Sequence, residues 1–181
     1  MQHDNTIKKV LITEEQLKTR IAELGKQITK DYAGKKLLIV GTLKGAYIFL
    51  ADLLREIDLN AEIDFVSASS YGNATTTSGQ VKLLKDLETD CSGRDVLIVE
   101  DIVDTGITLT RLQEVIKSAG AATVEIVTLL SKSARRQTDV SVKYVGFDIP
   151  DEFVVGFGLD YGQLYRGLRD VCVLKESVYS D

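Results

Sequence analysis

The stretch 96-VLIVEDIVDTGITLTRL-112 runs from a buried strand into three acids and then into a loop suited to phosphate. Glu100 and Asp101 end the apolar run, Asp104 follows, and Thr105-Gly106-Ile107-Thr108 leads into a helix-like segment. Gly106 permits a tight turn with positive φ. A helix starting near Thr108 turns its unbonded N–H groups and the positive end of its dipole toward that turn. Thr105 and Thr108 add hydroxyl donors, so residues 104–108 read as a cup for one phosphate group. Carboxylates repel phosphate, and the stretch therefore requires a nearby cation or a ligand that uses both chemistries. A 5-phosphorylated ribose meets the second condition, with its phosphate in the cup and its vicinal hydroxyls on the acid pair. Mg²⁺ bound by the carboxylates would screen the repulsion. The loop lacks the Walker lysine and the GxGxxG glycines, and its acids do not have EF-hand spacing.

The surrounding chain alternates strand and helix. Residues 13-TEEQLKTRIAELGKQITKDYAG-34 place Leu17, Ile21, Leu24, Ile28 and Tyr32 on one helical face. Thr13 and Gln16 have capping-box spacing, and Gly34 can close the helix. A doubly covered strand is expected at 37-LLIVGT-42, a helix at 45–57, and a strand at 61–69. The 96–100 strand, a helix over Thr108–Ser118 and a strand at 123–130 complete a βαβαβ series. That order implies an α/β fold with a mostly parallel central sheet flanked by helices. The tail segments 142–149, 153–157 and 171–176 read as short strands of a small subdomain over one end of the sheet. Open parallel sheets bind ligands beyond the carboxyl ends of their strands. Both the acid-rich loop and Thr42-Leu43-Lys44-Gly45 lie there. Residues 70-SYGNATTTSGQ-80 are small and hydroxylated, the composition of a lid or an exposed hairpin.

The chain has 181 residues, room for one domain with a sizeable core. Its 44% hydrophobic and 27% charged residues are ordinary for a globular protein. No apolar run approaches the ~20 residues of a membrane span, and the first residues lack an apolar signal core. Cys91 and Cys172 have no metal-like spacing and suit two reduced thiols. The expectation is a cytoplasmic protein. His3 is the only histidine, which excludes Ser-His-Asp, Cys-His and multi-histidine zinc chemistry. A net charge of −5 gives no support for nucleic-acid binding. The densest basic cluster, 132-KSARR-136, reads either as a local basic patch or as a solvated loop edge.

VLIVEDIVDTGITL resembles the phosphoribosyl-pyrophosphate (PRPP) signature of the type I phosphoribosyltransferases. From about residue 10 to residue 176 the chain is similar to their 6-oxopurine branch. The resemblance implies one domain over 1–181, with a hood subdomain mainly from about 147–181 plus part of the N-terminus. It implies PRPP and a 6-oxopurine base as substrates, pyrophosphate and a nucleoside monophosphate as products, Mg²⁺ as cofactor, and a homodimer or homotetramer.

The same resemblance assigns residues. Leu43, Lys44 and Gly45 match the pyrophosphate loop, with a non-proline cis peptide at Leu43–Lys44. Ser70 and Tyr71 open the lid, which excludes water from a ribose carbon with oxocarbenium character. Glu100 and Asp101 match the acids for ribose hydroxyls and Mg²⁺, and Ile102 follows them as a substrate contact. Asp104 matches the residue facing purine N7, the proton acceptor. Asp104, Thr105, Gly106, Ile107 and Thr108 match the 5′-phosphate loop; some relatives carry Lys in place of Ile107, a position that works through its backbone N–H. Lys132 matches the lysine that donates to the purine O6, and a donor-only ammonium rejects the 6-amino group of adenine. Phe153 is expected to stack on the purine and Val154 to bind its edge through the backbone. Asp160 matches a second Mg²⁺ ligand, and Arg166 a pyrophosphate contact. Rival readings are a relative preferring xanthine or guanine, an RNA-binding regulator on the same fold, and a noncatalytic nucleotide-binding module. The intact Asp104 weighs against a purely regulatory role.

Overall fold

The structure is a computed structural model that describes residues 5–70 and 81–180, without the side chains of 68–70 and 81–84. Its centre is a six-stranded sheet in the order β4-β3-β2-β5-β6-β7. The strands are β2 (Leu37–Leu43), β3 (Glu62–Ser70), β4 (Val81–Lys85), β5 (Asp95–Val103), β6 (Thr123–Ser131) and β7 (Tyr144–Asp148). All neighbours pair in parallel except β3 and β4, which are antiparallel. Continuous apolar runs suit this position because successive side chains enter opposite layers. Leu37 and Ile39 pack with Leu97 and Val99 in one core, whereas Leu38 and Val40 pack with Val96 and Ile98 in the other. Helices α1 (Glu14–Asp31) and α2 (Tyr47–Glu56) cover the first layer, and α3 (Ile107–Ser118) covers the second.

The expected apolar face of α1 is buried from Leu17 to Tyr32. Its capping box is present: the Gln16 N–H donates to Thr13 Oγ1 at 3.3 Å, and the Thr13 N–H to Gln16 Oε1 at 2.9 Å.

A second sheet joins both ends of the chain. β1 (Ile7–Ile12) and β8 (Val154–Val155) each pair antiparallel with β9 (Val171–Leu174). Neither β1 nor β4 was expected from the sequence; both are short and carry lysines between apolar residues, which hides their period. The 142–149 segment also departs from expectation. It supplies β7, a parallel edge strand of the central sheet rather than part of the small subdomain. The sequence between β6 and β7 holds only a short helical turn at Ser133–Arg135, so the crossover lacks the helix that marks the other parallel connections.

Asp64 on β3 shows how the fold secures a loop near one sheet edge. Its carboxylate is 7% exposed and accepts from the backbone N–H groups of Phe65, Glu88 and Thr89 at 2.6–2.8 Å. Burial alone would raise its pKa, but the N–H donors outweigh that and lower it from 3.8 to about 2. The depressed value means a stabilisation that is complete above pH ~4 and lost as pH falls through ~2. Asp64→Asn is therefore expected to reduce stability by ~2 kcal/mol at neutral pH, with the difference disappearing toward pH ~2. Urea unfolding at several pH values checks this, and a pH-independent difference would contradict it.

Candidate active site

The loops after β2 and β5 meet at the carboxyl ends of adjacent strands, where the sheet order reverses direction. Both lead into helices that begin without a side-chain cap and without an acid in the first turn. This contrasts with the fully capped α1 and leaves two positive helix ends facing the same region. Gly106 is the N-cap of α3 with φ 85°, so the expected left-handed turn is present and the helix starts at Ile107, one residue early. A Cβ on Gly106 would press against Thr138 and Val140, so small size is required there as well. The Leu43–Lys44 peptide is cis. Gly45 sits directly against the Asp101 carboxylate, which brings the two loops together.

Glu100 and Asp101 lie within β5, whose extent to Val103 exceeds the expected strand. Thr42 Oγ1 donates to Glu100 Oε1 at 2.7 Å, and the Asp101 N–H donates to the same oxygen at 3.1 Å. Burial, and then the charge of Asp101, push the Glu100 carboxyl well above the usual range. Among the described residues neither acid has a basic partner within ion-pair distance, and no three potential ligand side chains converge as a metal cage. Adjacent oxygen donors with uncompensated charge fit Mg²⁺, which characteristically takes one or two carboxylates and fills its remaining positions with water and substrate phosphate.

In the 132–136 cluster Lys132 is buried, whereas Ser133, Ala134 and Arg135 are exposed. Lys132 is 7% exposed, its N–H donates to Val103 O at 2.9 Å, and its ammonium reaches Asp151 Oδ1 at 3.2 Å. The N–H groups of Gln137 and Thr138 donate to Thr105 O at 3.0 and 3.3 Å, which folds this loop onto the 104–108 turn. Arg135 Nε stands 3.1 Å from Asp104 Oδ1. That oxygen is buried and accepts no hydrogen bond, because the approach is off the N–H line; the contact is Coulombic. Burial lowers the pKa of Arg136, and the charges of Asp104 and Asp148 partly oppose it.

The other side is formed by residues 153–166. Phe153 stacks on Tyr179 at 4.8 Å and meets Tyr161 edge-on at 5.7 Å, yet its ring stays 37% exposed. Val154 is buried and pairs with Val173. Asp160 Oδ1 is 2.8 Å from an Arg166 terminal nitrogen, and Arg166 also donates to Gly158 O at 2.7 Å. Gln163 Oε1 accepts from Lys44 Nζ at 3.3 Å and from Arg166 at 3.1 Å. Lys44, Asp160 and Arg166, far apart in sequence, thus share one side-chain network. Ser70 ends β3 with only its backbone described, and Tyr71 with the rest of the expected lid lies outside the described residues.

Residues 11–162 match the phosphoribosyl transferase domain family. The chain belongs to this family. This phosphoribosyltransferase is 49% identical over 179 residues to the hypoxanthine-guanine phosphoribosyltransferase of Bacillus subtilis, covering 99% of this chain and 98% of that one. A solved hypoxanthine phosphoribosyltransferase from Staphylococcus aureus superposes with a TM-score of 0.94 at 50% identity, covering 98% of this chain and 96% of the other. The bifunctional protein TilS/HprT of Listeria monocytogenes is 50% identical over 98% of this chain, which spans 27% of that longer protein's length.

Three residues that the fold brings to the candidate site were not singled out in the sequence, Arg135, Asp151 and Gln163, and neither was the bond from Thr42 to Glu100. Thr42 and Gln163 act on groups 58 and 119 positions away, a relation no local motif carries. Arg135 stood in the basic cluster and Asp151 two residues before Phe153, but each meets its partner only after folding.

Proposed function

We propose that this phosphoribosyltransferase moves the 5-phosphoribosyl group of PRPP to N9 of a 6-oxopurine, hypoxanthine or guanine, giving the nucleoside 5′-monophosphate and pyrophosphate. The observation that carries the base assignment is the buried Lys132 ammonium beside the Asp104 loop. Buried donors left unpaired are costly, so a base that offers an oxygen at C6 is preferred to one that offers an amine. Full-length likeness to hypoxanthine-guanine phosphoribosyltransferases supports the same reading.

The chain's residues divide the work along the substrate. The 104–108 turn and the N-terminus of α3 hold the 5′-phosphate far from the reacting bond and orient the ribose. Glu100 and Asp101 accept from the ribose hydroxyls. Phe153 stacks on the base, Val154 meets its edge through the backbone, and Lys132 donates to O6. As N9 bonds to ribose C1, the bond from C1 to pyrophosphate breaks, and Asp104 accepts the proton from N7. Lys44 and Arg166 stabilise the leaving pyrophosphate. Glu100, Asp101 and Asp160 are the residues that would hold Mg²⁺, which when bound adds neutralising charge at the pyrophosphate.

The sheet formed by β1, β8 and β9 acts as a hood over the base. A homodimer or homotetramer is part of this proposal and rests on the family likeness. Among the described residues no helix is long and apolar enough to cross a membrane, and a cytoplasmic location is part of this proposal.

Pyrophosphate release with PRPP and Mg²⁺, measured separately with hypoxanthine, guanine, xanthine and adenine, tests the reading. Release with hypoxanthine or guanine is expected to exceed that with adenine by at least ~10²-fold in kcat/KM. Equal use of adenine would remove the role of Lys132, and no release with any base would remove the enzymatic reading.

A further inference from the structure

Lys132, Asp151, Arg135 and Asp104 form a row of alternating charge. Lys132 Nζ is 3.2 Å from Asp151 Oδ1, the same oxygen is 3.4 Å from Arg135 Nη1, and Arg135 Nε is 3.1 Å from Asp104 Oδ1. The ends of the row are the two groups assigned above to O6 and N7, neighbouring atoms on one edge of the purine. The inner two have no assigned role and come from separate segments, the turn after β6 and the turn before β8.

The inner pair is a poor support for the fold. Arg135 and Asp151 side chains are 46% and 53% exposed, and exposed ion pairs add little stability. What the row does is set direction. Lys132 has three donors and, among the described residues, its ammonium gives one to Asp151, so donors remain for a ligand. Asp104 Oδ1 is buried against Arg135, whereas the side chain as a whole is 39% exposed, so its other oxygen is left to meet a ligand.

We propose that Arg135 and Asp151 are positioning residues that hold Lys132 and Asp104 toward the O6–N7 edge of the base and thereby sharpen the preference for 6-oxopurines. This rests on the base-site reading given under Proposed function. Both act through their neighbours and touch no reacting atom.

The test is steady-state kinetics of the full chain with hypoxanthine and with adenine, using Arg135→Gln, Arg135→Lys, Asp151→Asn and the Arg135→Gln/Asp151→Asn double variant. Arg135→Gln and Asp151→Asn are each expected to raise KM for hypoxanthine ~5–10-fold while KM for PRPP stays within ~2-fold, the scale of one lost charge-assisted contact. Arg135→Lys should recover most of the loss by restoring the charge. Asp151→Asn should also narrow the hypoxanthine-to-adenine ratio of kcat/KM by ~10-fold. The double variant should lose less than the product of the single effects, because the residues belong to one row. An unchanged KM for hypoxanthine, an equal rise in both KM values, or full additivity would overturn the proposal. Absence of pyrophosphate release by the unaltered protein would overturn the base-site reading and this proposal together, whereas normal release with indifferent variants would overturn this proposal alone.

Discussion

Asp104→Ala is expected to lower kcat with hypoxanthine by ~10²–10⁴-fold, the range for loss of a positioned proton acceptor, with KM for PRPP changed by less than ~3-fold. Asp104 has a buried oxygen that accepts no hydrogen bond, held near the Arg135 guanidinium. The side chain is nonetheless 39% exposed, so its other oxygen is left to take a base proton. The adjoining 5′-phosphate cup depends on the Gly106 turn and the α3 N-terminus, which the substitution leaves in place. Asp104→Asn provides the sharper comparison, because it keeps the shape and removes the ability to take a proton. Pyrophosphate release under saturating PRPP gives kcat, and the PRPP dependence gives the second quantity. Equal losses in both would mean that Asp104 serves to bind PRPP and does not act on the base.

Gly45→Ala is expected to raise KM for PRPP by ~10²-fold, the cost of displacing a positioned group by about 1 Å. A Cβ at Gly45 would fall inside the Asp101 carboxylate, so one of the two loops must move. The movement would disturb Lys44 and Arg166 on one side through Gln163, and the Glu100–Asp101 pair on the other. Gly158 packs against the carbonyl of Gly45, which closes the remaining way out. Gly167→Ala is the control, since nothing lies within 4 Å of its added methyl group and its substitution should leave KM for PRPP unaltered. Similar effects of the two substitutions would show that loop packing at Gly45 has no special role.

The reach of the sequence follows from the range of the forces involved. Helix α1 was legible because its apolar face and its capping box are relations among residues three or four apart. The central strands were legible because burial on both faces demands continuous apolar runs, and the left-handed turn before α3 because Gly106 and the first turn of the helix are adjacent in the chain. β1 and β4 are set by pairing with distant or antiparallel neighbours, and β7 was misplaced because its crossover lacks a helix. The sequence by itself therefore determined the α/β layering and the acid-rich strand end. Only the tertiary structure decided that Gln163 joins Lys44 to Arg166, that Lys132 is buried at the head of the basic 132–136 loop, and that Arg135 and Asp151 stand between Lys132 and Asp104. Those relations depend on distances between side chains from separate loops, and such distances exist only once the sheet has brought the strand ends together.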